Sequence, residues 1–274
     1  MNVSFKTYNK QDLFEKIDAI EIFRKENQVI TKYLGRVINI TNVSQRYEIF
    51  DIKSFLKRKI SEIESNFDIS YYRLRLTKGV QELALLSDKV TISDHTYYKS
   101  FFILNSSDKT RKLNFNLGLY RSDNNSFLIG VNNISFTKKH LIGVTEAAED
   151  TSCIINTETF NEQIDAIKSL VGERVLLSNI KKIIIDKNQK INHLKFDSFK
   201  NQLLYSTKLT DEQYKVLKSN DGDMSIDAYL AFNLYMQLFR NQDSYVIKKE
   251  TEKIIKITQC FIRNQKIDNI LCLI

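Results

Sequence analysis

Proline and tryptophan are both missing from this chain of 274 residues, and glycine occurs only 7 times. Proline ordinarily supplies about 5% of a globular protein, so its complete absence reads as the coding bias of an AT-rich genome rather than as a clue to fold. It also removes the usual punctuation: turns must be made by Asn, Asp, Ser and the few glycines. Cysteine is scarce as well. Cys153, Cys260 and Cys272 are an odd, scattered set without the close spacing of a zinc knuckle or a redox pair. They read as reduced thiols packed as small apolar groups, which points to a reducing compartment. No apolar run approaches the roughly 20 residues that cross a bilayer, and residues 1–6 lack the basic start and apolar stretch of a secretory leader. The expectation is a cytoplasmic protein with no membrane partner.

Catalytic signatures are equally sparse. His95, His140 and His193 are far apart and fit no zinc-ligand pattern. They read as structural or surface groups, although His140, after Lys138 and Lys139, is also placed to meet a phosphate. Asp221-Gly222-Asp223 opens like a calcium loop, but Phe232 stands where the closing glutamate belongs. Glu146, Glu149 and Asp150 form the one dense carboxylate cluster; two-metal nuclease chemistry would need acidic partners from other strands, and none can be assigned. There is no glycine-rich phosphate loop and no nucleophile elbow. The chain is therefore expected to be no enzyme and to use no metal or other cofactor.

What is present suffices for a core: 42% of residues are hydrophobic, and 17 Phe and 13 Tyr make disorder untenable. Leu13, Phe14, Ile17, Ile20 and Phe23 recur at helical spacing and predict a helix over 10–26. Short strands are expected over 35–40 and 47–50. Asp51 is placed to cap a second helix whose Ile52, Phe55, Leu56, Ile60 and Ile63 share a face, with Lys53, Lys57 and Arg58 outward. Near Asp68 the period changes to two. In residues 71–76, Tyr72, Leu74 and Leu76 fall on one face and Tyr71, Arg73 and Arg75 on the other. Lys78-Gly79 turns the chain into a strand over 80–86, followed by another over 95–104 and a turn at 105–108. Leu113, Phe115, Leu117 and Leu119 then alternate with Lys112, Asn114, Asn116 and Tyr120, the pattern of a half-buried antiparallel strand. Segments 127–131 and 134–136 extend the meander.

Beyond residue 145 the pattern is helical. Thr157 is placed to cap a helix carrying Phe160, Ile164, Ile167 and Leu170. Thr210 and Gln213 make a capping box. Residues 226–240 are apolar on most sides, as in a buried helix, and 244–263 form an amphipathic one. The apolar tail 270–274 is expected to dock on this chain or on another subunit. The fold class is thus α+β: a β-rich antiparallel region with two helices over 1–145, packed as one globular unit with a helical region over 146–274.

Charge is distributed unevenly. The net charge is +8, and residues 53–139 hold 15 Lys and Arg against 8 Asp and Glu, an excess of 7; residues 1–52 hold 8 against 7, and 140–274 hold 18 against 18. A basic stretch interleaved with tyrosines on outward strand faces has what single-stranded nucleic acid requires: cations that follow the phosphates and rings on which bases stack. The candidate contacts are Tyr71, Arg73 and Arg75 on one strand, Tyr97 and Lys99 on another, and Lys112 and Tyr120 on a third, flanked by Arg111, Arg121, Lys138 and Lys139.

Residues 101–108 (FFILNSSD) followed by 113–121 (LNFNLGLYR) resemble the phage/plasmid-like protein family of phages, plasmids and bacterial mobile elements. Its members carry an Asn-Ser turn, a strand, an arginine and a later histidine; Arg121 and His140 fill the last two positions here, and residues 225–233 are similar to a helix near the family's C-terminal end. Ser122-Asp123-Asn124-Asn125 stands in place of the family's Cys-x-Asn-Gly-like element. The resemblance implies a phage or mobile-element protein in the host-cell cytoplasm, acting in DNA replication, recombination or annealing. The expected partner is single-stranded DNA or RNA, with a homo-oligomer or another phage protein as further partners. The alternative expectation is a virion-associated or host-interaction protein that acts through protein contacts without binding nucleic acid.

Overall fold

The computed structural model describes residues 4–107, 113–123, 126–129, 136–138, 157–184, 190–206, 209–219 and 224–238. The class is α+β, with antiparallel strands concentrated in the N-terminal half and helices mostly in the C-terminal half. No described helix is long and apolar enough to cross a membrane. The chain forms two compact units built from discontinuous segments: Met1–Val90, Tyr97–Tyr120 and Asn132–Phe160 in the first, and Thr91–Thr96, Arg121–Val131 and Asn161–Ile274 in the second.

In the first unit β1 (Lys6–Thr7) precedes α1 (Lys10–Asp18), which Asn9 caps by accepting from the Asp12 amide at 2.9 Å. The helix expected over 10–26 stops at Asp18. Ile20 to Lys25 instead form β2, which pairs with β3 (Gln28–Tyr33), and β3 pairs with β4 (Arg36–Asn42). Ile17, Ile20 and Phe23 satisfy a helical period, but Ile20 and Ile22 also satisfy a period of two, and pairing with the unforeseen β3 decides between them. The strand expected over 47–50 is irregular chain, fixed because Tyr47 packs with Val29 and Val43 and Phe50 is buried.

Asp51 caps α2 (Ile52–Glu64), accepting from the Ser54 amide at 3.2 Å, and Ile52, Phe55, Leu56, Ile60 and Ile63 are buried as the spacing requires. The main sheet runs β1-β5-β6-β7-β8-β10, with β5 over Tyr71–Thr77, β6 over Val80–Ile92, β7 over His95–Ser106, β8 over Leu113–Arg121 and β10 over Phe136–Lys138; β9 (Ser126–Ile129) also pairs with β8. The strands expected over 80–86 and 95–104 are longer than their alternation indicates. The turn expected at 105–108 begins at Ser107, since Asn105 and Ser106 belong to β7.

The second unit holds most of α3 (Thr157–Lys168), whose first turn through Phe160 belongs to the first, and a two-stranded sheet of β11 (Arg174–Leu176) and β12 (Ser225–Asp227). Around it lie α4 (Leu177–Ile184), α5 (Lys190–Leu204), α6 (Asp211–Ser219) and α7 (Ala228–Gln237), with α5 packed against α4, α6 and α7. The capping box before α6 is reciprocal: Gln213 Oε1 accepts from the Thr210 amide at 3.0 Å, and Thr210 Oγ1 accepts from the Gln213 amide at 3.3 Å. The buried helix begins at Ala228 rather than at Ile226, because residues 225–227 are drawn into β12 and Asp227 becomes its cap.

The β5–β6 hairpin is closed by Lys78 and Gly79, both at positive φ (+45° and +81°), with Thr77 opposite Val80. A Cβ on Gly79 would lie 2.5 Å from Asn39 Nδ2 and 3.1 Å from Ser107 Oγ, whereas one on Gly35 (φ +74°) would meet nothing within 4 Å. Gly79→Ala is therefore expected to cost about 2 kcal/mol, conformation plus crowding, and Gly35→Ala about 1 kcal/mol, conformation alone. Urea midpoints at unchanged slope measure both. Equal losses would show that Asn39 yields freely.

Candidate nucleic-acid interface

Strand alternation and the β5–β6 register place Tyr71, Arg73 and Arg75 on one face of β5, opposite Leu86, Ala84 and Glu82. Tyr72 turns the other way, is 1% exposed, and joins Asp12 and Lys16 of α1 through its hydroxyl. On the first face Tyr71 is 37% exposed and meets Tyr98 edge to face, with centroids 5.8 Å apart. Burial, and secondarily Tyr71, push the Tyr98 phenol above its ordinary value. The Arg73 guanidinium lies 4.9 Å from the Phe5 ring centroid and donates to Glu82 Oε1 at 2.8 Å, and Phe5 in turn lies 4.9 Å from Tyr120. Arg75 is exposed. The outcome is a row of rings and guanidinium groups on one sheet face, in which Tyr71, Tyr98 and Arg75 meet solvent.

The other residues expected at this interface are placed differently. Tyr97 is fully buried; its neighbour Tyr98 stands beside Tyr71, so the parity assumed for this strand is shifted by one. Lys99 is bound to Asp88 at 2.8 Å, with its ammonium 5.6 Å from the Phe67 ring and 5.9 Å from Phe160. Strand β8 is buried along its whole length rather than on one face: Asn114, Asn116 and Tyr120 are 7%, 3% and 4% exposed. The side chain of Phe5 and the Ser100 hydroxyl, which donates to the Gly118 carbonyl at 2.9 Å, are among the contacts that cover it. Lys138 lies in β10 opposite Leu113. Arg111, Lys112 and Lys139, together with His140, Glu146, Glu149, Asp150, the three cysteines, the helix expected over 244–263 and the tail 270–274, lie outside the described residues. Among the described residues no group of three or more His, Cys, Asp or Glu is arranged to hold a metal ion.

Arg121 is 3% exposed and belongs to the second unit. Its Nε and Nη2 donate to the two carboxylate oxygens of Asp123 at 2.6 and 2.5 Å, and Nη1 donates to Asn233 Oδ1 at 2.5 Å. His95 Nδ1 is 2.8 Å from Asp123 Oδ2, Nε2 is 3.4 Å from Asp94, and the ring lies 5.6 Å from Tyr229, whose hydroxyl donates to the Ile92 carbonyl at 2.7 Å. A guanidinium engaged in this way secures a strand end and is not offered to a phosphate. Sequence spacing could suggest the Arg121–Asp123 pair, but nothing in it brings in Asn233 from 112 positions away.

Comparison of the chain with family models, with curated proteins and with solved structures finds no match. The site therefore stands on its own geometry. That geometry retains Tyr71, Arg73 and Arg75 from the expected set, adds Tyr98 and Phe5, and turns Tyr97, Lys99, Tyr120 and Arg121 inward.

Burial, then the Arg121 charge, lower the His95 pKa below its ordinary 6.5. Burial raises Asp123, but the hydrogen bonds and charge of Arg121 outweigh it and hold the carboxyl below 3.8. The native state thus binds the His95 proton less tightly than the unfolded chain does. Stability is expected to fall as pH drops below about 6.5, and to fall again below the ordinary carboxylate range as Asp123 protonates. In thermal melts across this range His95→Gln should abolish the first decline and leave the second. A first decline that survives the substitution would place its origin elsewhere.

Proposed function

We propose that the chain is a phage or mobile-element protein that binds single-stranded nucleic acid on the β5 face of its first unit, in replication, recombination or annealing. The observation that carries this reading is the Tyr71–Tyr98 pair, exposed at Tyr71 and half-buried at Tyr98, on the same face as Arg75 and the Arg73–Phe5 stack. Tyrosines supply a π-face that every base can use, the exposed Arg75 guanidinium supplies charge, and Arg73, whose charge is held by Glu82, contributes its planar surface. An edge-to-face pair holds one ring fixed by the other, which lowers the ordering cost of stacking a base on it. The mechanism needs no covalent step. It differs from the sequence expectation in scale, since Lys99 and Arg121 already hold carboxylates and the contact narrows to the β5 face.

Fluorescence anisotropy with a labelled single-stranded oligonucleotide, set beside duplex at several salt concentrations, tests the proposal. Binding should favour the single strand and weaken with salt. Tyr71→Ala and Tyr98→Ala should each lose about 1–3 kcal/mol, roughly 5- to 150-fold in affinity. Arg75→Glu should weaken binding and flatten the salt dependence. Salt-independent binding, or affinity unchanged in Tyr71→Ala with Arg75→Glu, would refute the site.

A further inference from the structure

The three-stranded sheet β2-β3-β4 uses one face inside the first unit. Val29 and Thr31 are fully buried there, and the Thr31 hydroxyl meets Ser107 Oγ at 2.5 Å. Its register builds a second face. Phe23, Ile30 and Ile40 lie abreast across the three strands, and Glu21, Lys32 and Val37 form the next row. Val37 is 52% exposed and Ile40 55%, while Leu34, in the turn that joins β3 to β4, is 70% exposed. A solvent face of an antiparallel sheet is ordinarily polar, and a contiguous aliphatic patch on one marks a surface that is covered in use.

The charges choose the occupant. Glu21 and Lys32 are direct cross-strand neighbours, and the Lys32 ammonium also lies 5.1 Å from the Phe23 ring. A uniformly anionic surface, lipid or nucleic acid, would be attracted by Lys32 and by the exposed Lys25 at the far side of the apolar row, and repelled by Glu21 beside Lys32. A copy of the same face matches both charges, because a two-fold axis can bring Glu21 of one protomer to Lys32 of its partner while the apolar rows close on each other. The β4 edge is less suited to this role: the β3–β4 register shifts between Thr31 and Lys32, and such an irregularity bends an edge away from strand addition. We infer that the outer face of β2-β3-β4 is a homodimer interface, in which two sheets pack face to face through Phe23, Ile30, Val37 and Ile40.

Sedimentation equilibrium and light scattering of the full chain over a concentration series test this inference. The wild-type chain should be a reversible dimer and Ile40→Asp a monomer, with circular dichroism unchanged because Ile40 is more than half exposed. Glu21→Lys should weaken the dimer roughly tenfold or more by setting like charges together, and adding Lys32→Glu should restore it. That rescue distinguishes the interface from mere solubility. A wild-type chain that stays monomeric throughout, or a dimer indifferent to Ile40→Asp, would overturn the inference. Binding of a monomeric wild-type chain to anionic vesicles, lost in Ile40→Asp, would overturn it in favour of lipid. None of these residues lies on the β5 face, so the result is independent of oligonucleotide binding.

Discussion

The two-residue turn at Lys78 and Gly79 is the constraint on which the candidate interface depends. With Thr77 opposite Val80, every pair down the hairpin is set, and so is the parity of β5. Tyr72 enters the network with Asp12 and Lys16, and Tyr71, Arg73 and Arg75 take the opposite face. A slip by one residue would exchange these sets and expose the tyrosine that the core needs. The turn is held from outside as well. The Gly79 carbonyl accepts from Ser107 Oγ at 2.9 Å and from Gln81 Nε2 at 2.7 Å, and Gln81 Oε1 accepts from Asn105 at 2.6 Å. Thr31 joins this group through Ser107, so the node also ties the three-stranded sheet to the hairpin. Polar groups sealed together in this way would each cost free energy alone, and together they fix one arrangement.

Inward-facing charge follows the same economy. Lys59, 1% exposed, is bound to Glu62 at 2.6 Å with the Phe55 and Phe115 rings within 6 Å of its ammonium. Arg73 has Glu82, Lys99 has Asp88, and Arg121 has Asp123. A buried cation that loses its carboxylate costs about 3–5 kcal/mol, so Lys59 and Arg121 are committed to the fold, and the half-buried Arg73 and Lys99 have their charge largely neutralised where they stand. The excess of 7 positive charges over residues 53–139 therefore overstates the charge available to a ligand. Phosphate attraction, on this account, has to come from exposed groups such as Arg75 and Lys78.

Local rules with local causes were legible in the sequence. The Asp51 cap, the buried face of α2, the alternation of β5 and the Thr210–Gln213 box each depend on residues within a few positions of one another, and each is found. What was not legible depends on distant chain. Ile20 and Phe23 fit a helix until Tyr33 and Ile30 arrive as strand partners. The asparagines and tyrosine of β8 read as a solvent face because nothing near them foretells that Phe5, more than a hundred residues earlier, lies against Tyr120. Tyr97 and Tyr98 are chemically identical, and only the register of the folded strand decides which of them is buried. Arg121 reads as a surface base because its partner Asn233 is 112 positions away.

The two free faces of the first unit differ in a way that separates their chemistry. The β5 face offers aromatic rings and guanidinium groups, which bind flat, polarisable, anionic ligands and make poor contacts with aliphatic side chains. The outer face of β2-β3-β4 offers mainly aliphatic side chains, with the Phe23 ring already under the Lys32 ammonium and with Glu21, Lys32 and Lys25 around them, a surface that packs well against a shaped protein surface. Both lie in sheets whose opposite faces are occupied by core, so neither set of side chains can be hidden without exposing the other. Exposure of Val37 and Ile40 is thus the consequence of burying Val29 and Thr31, and it is tolerable in a folded chain to the extent that a partner covers it.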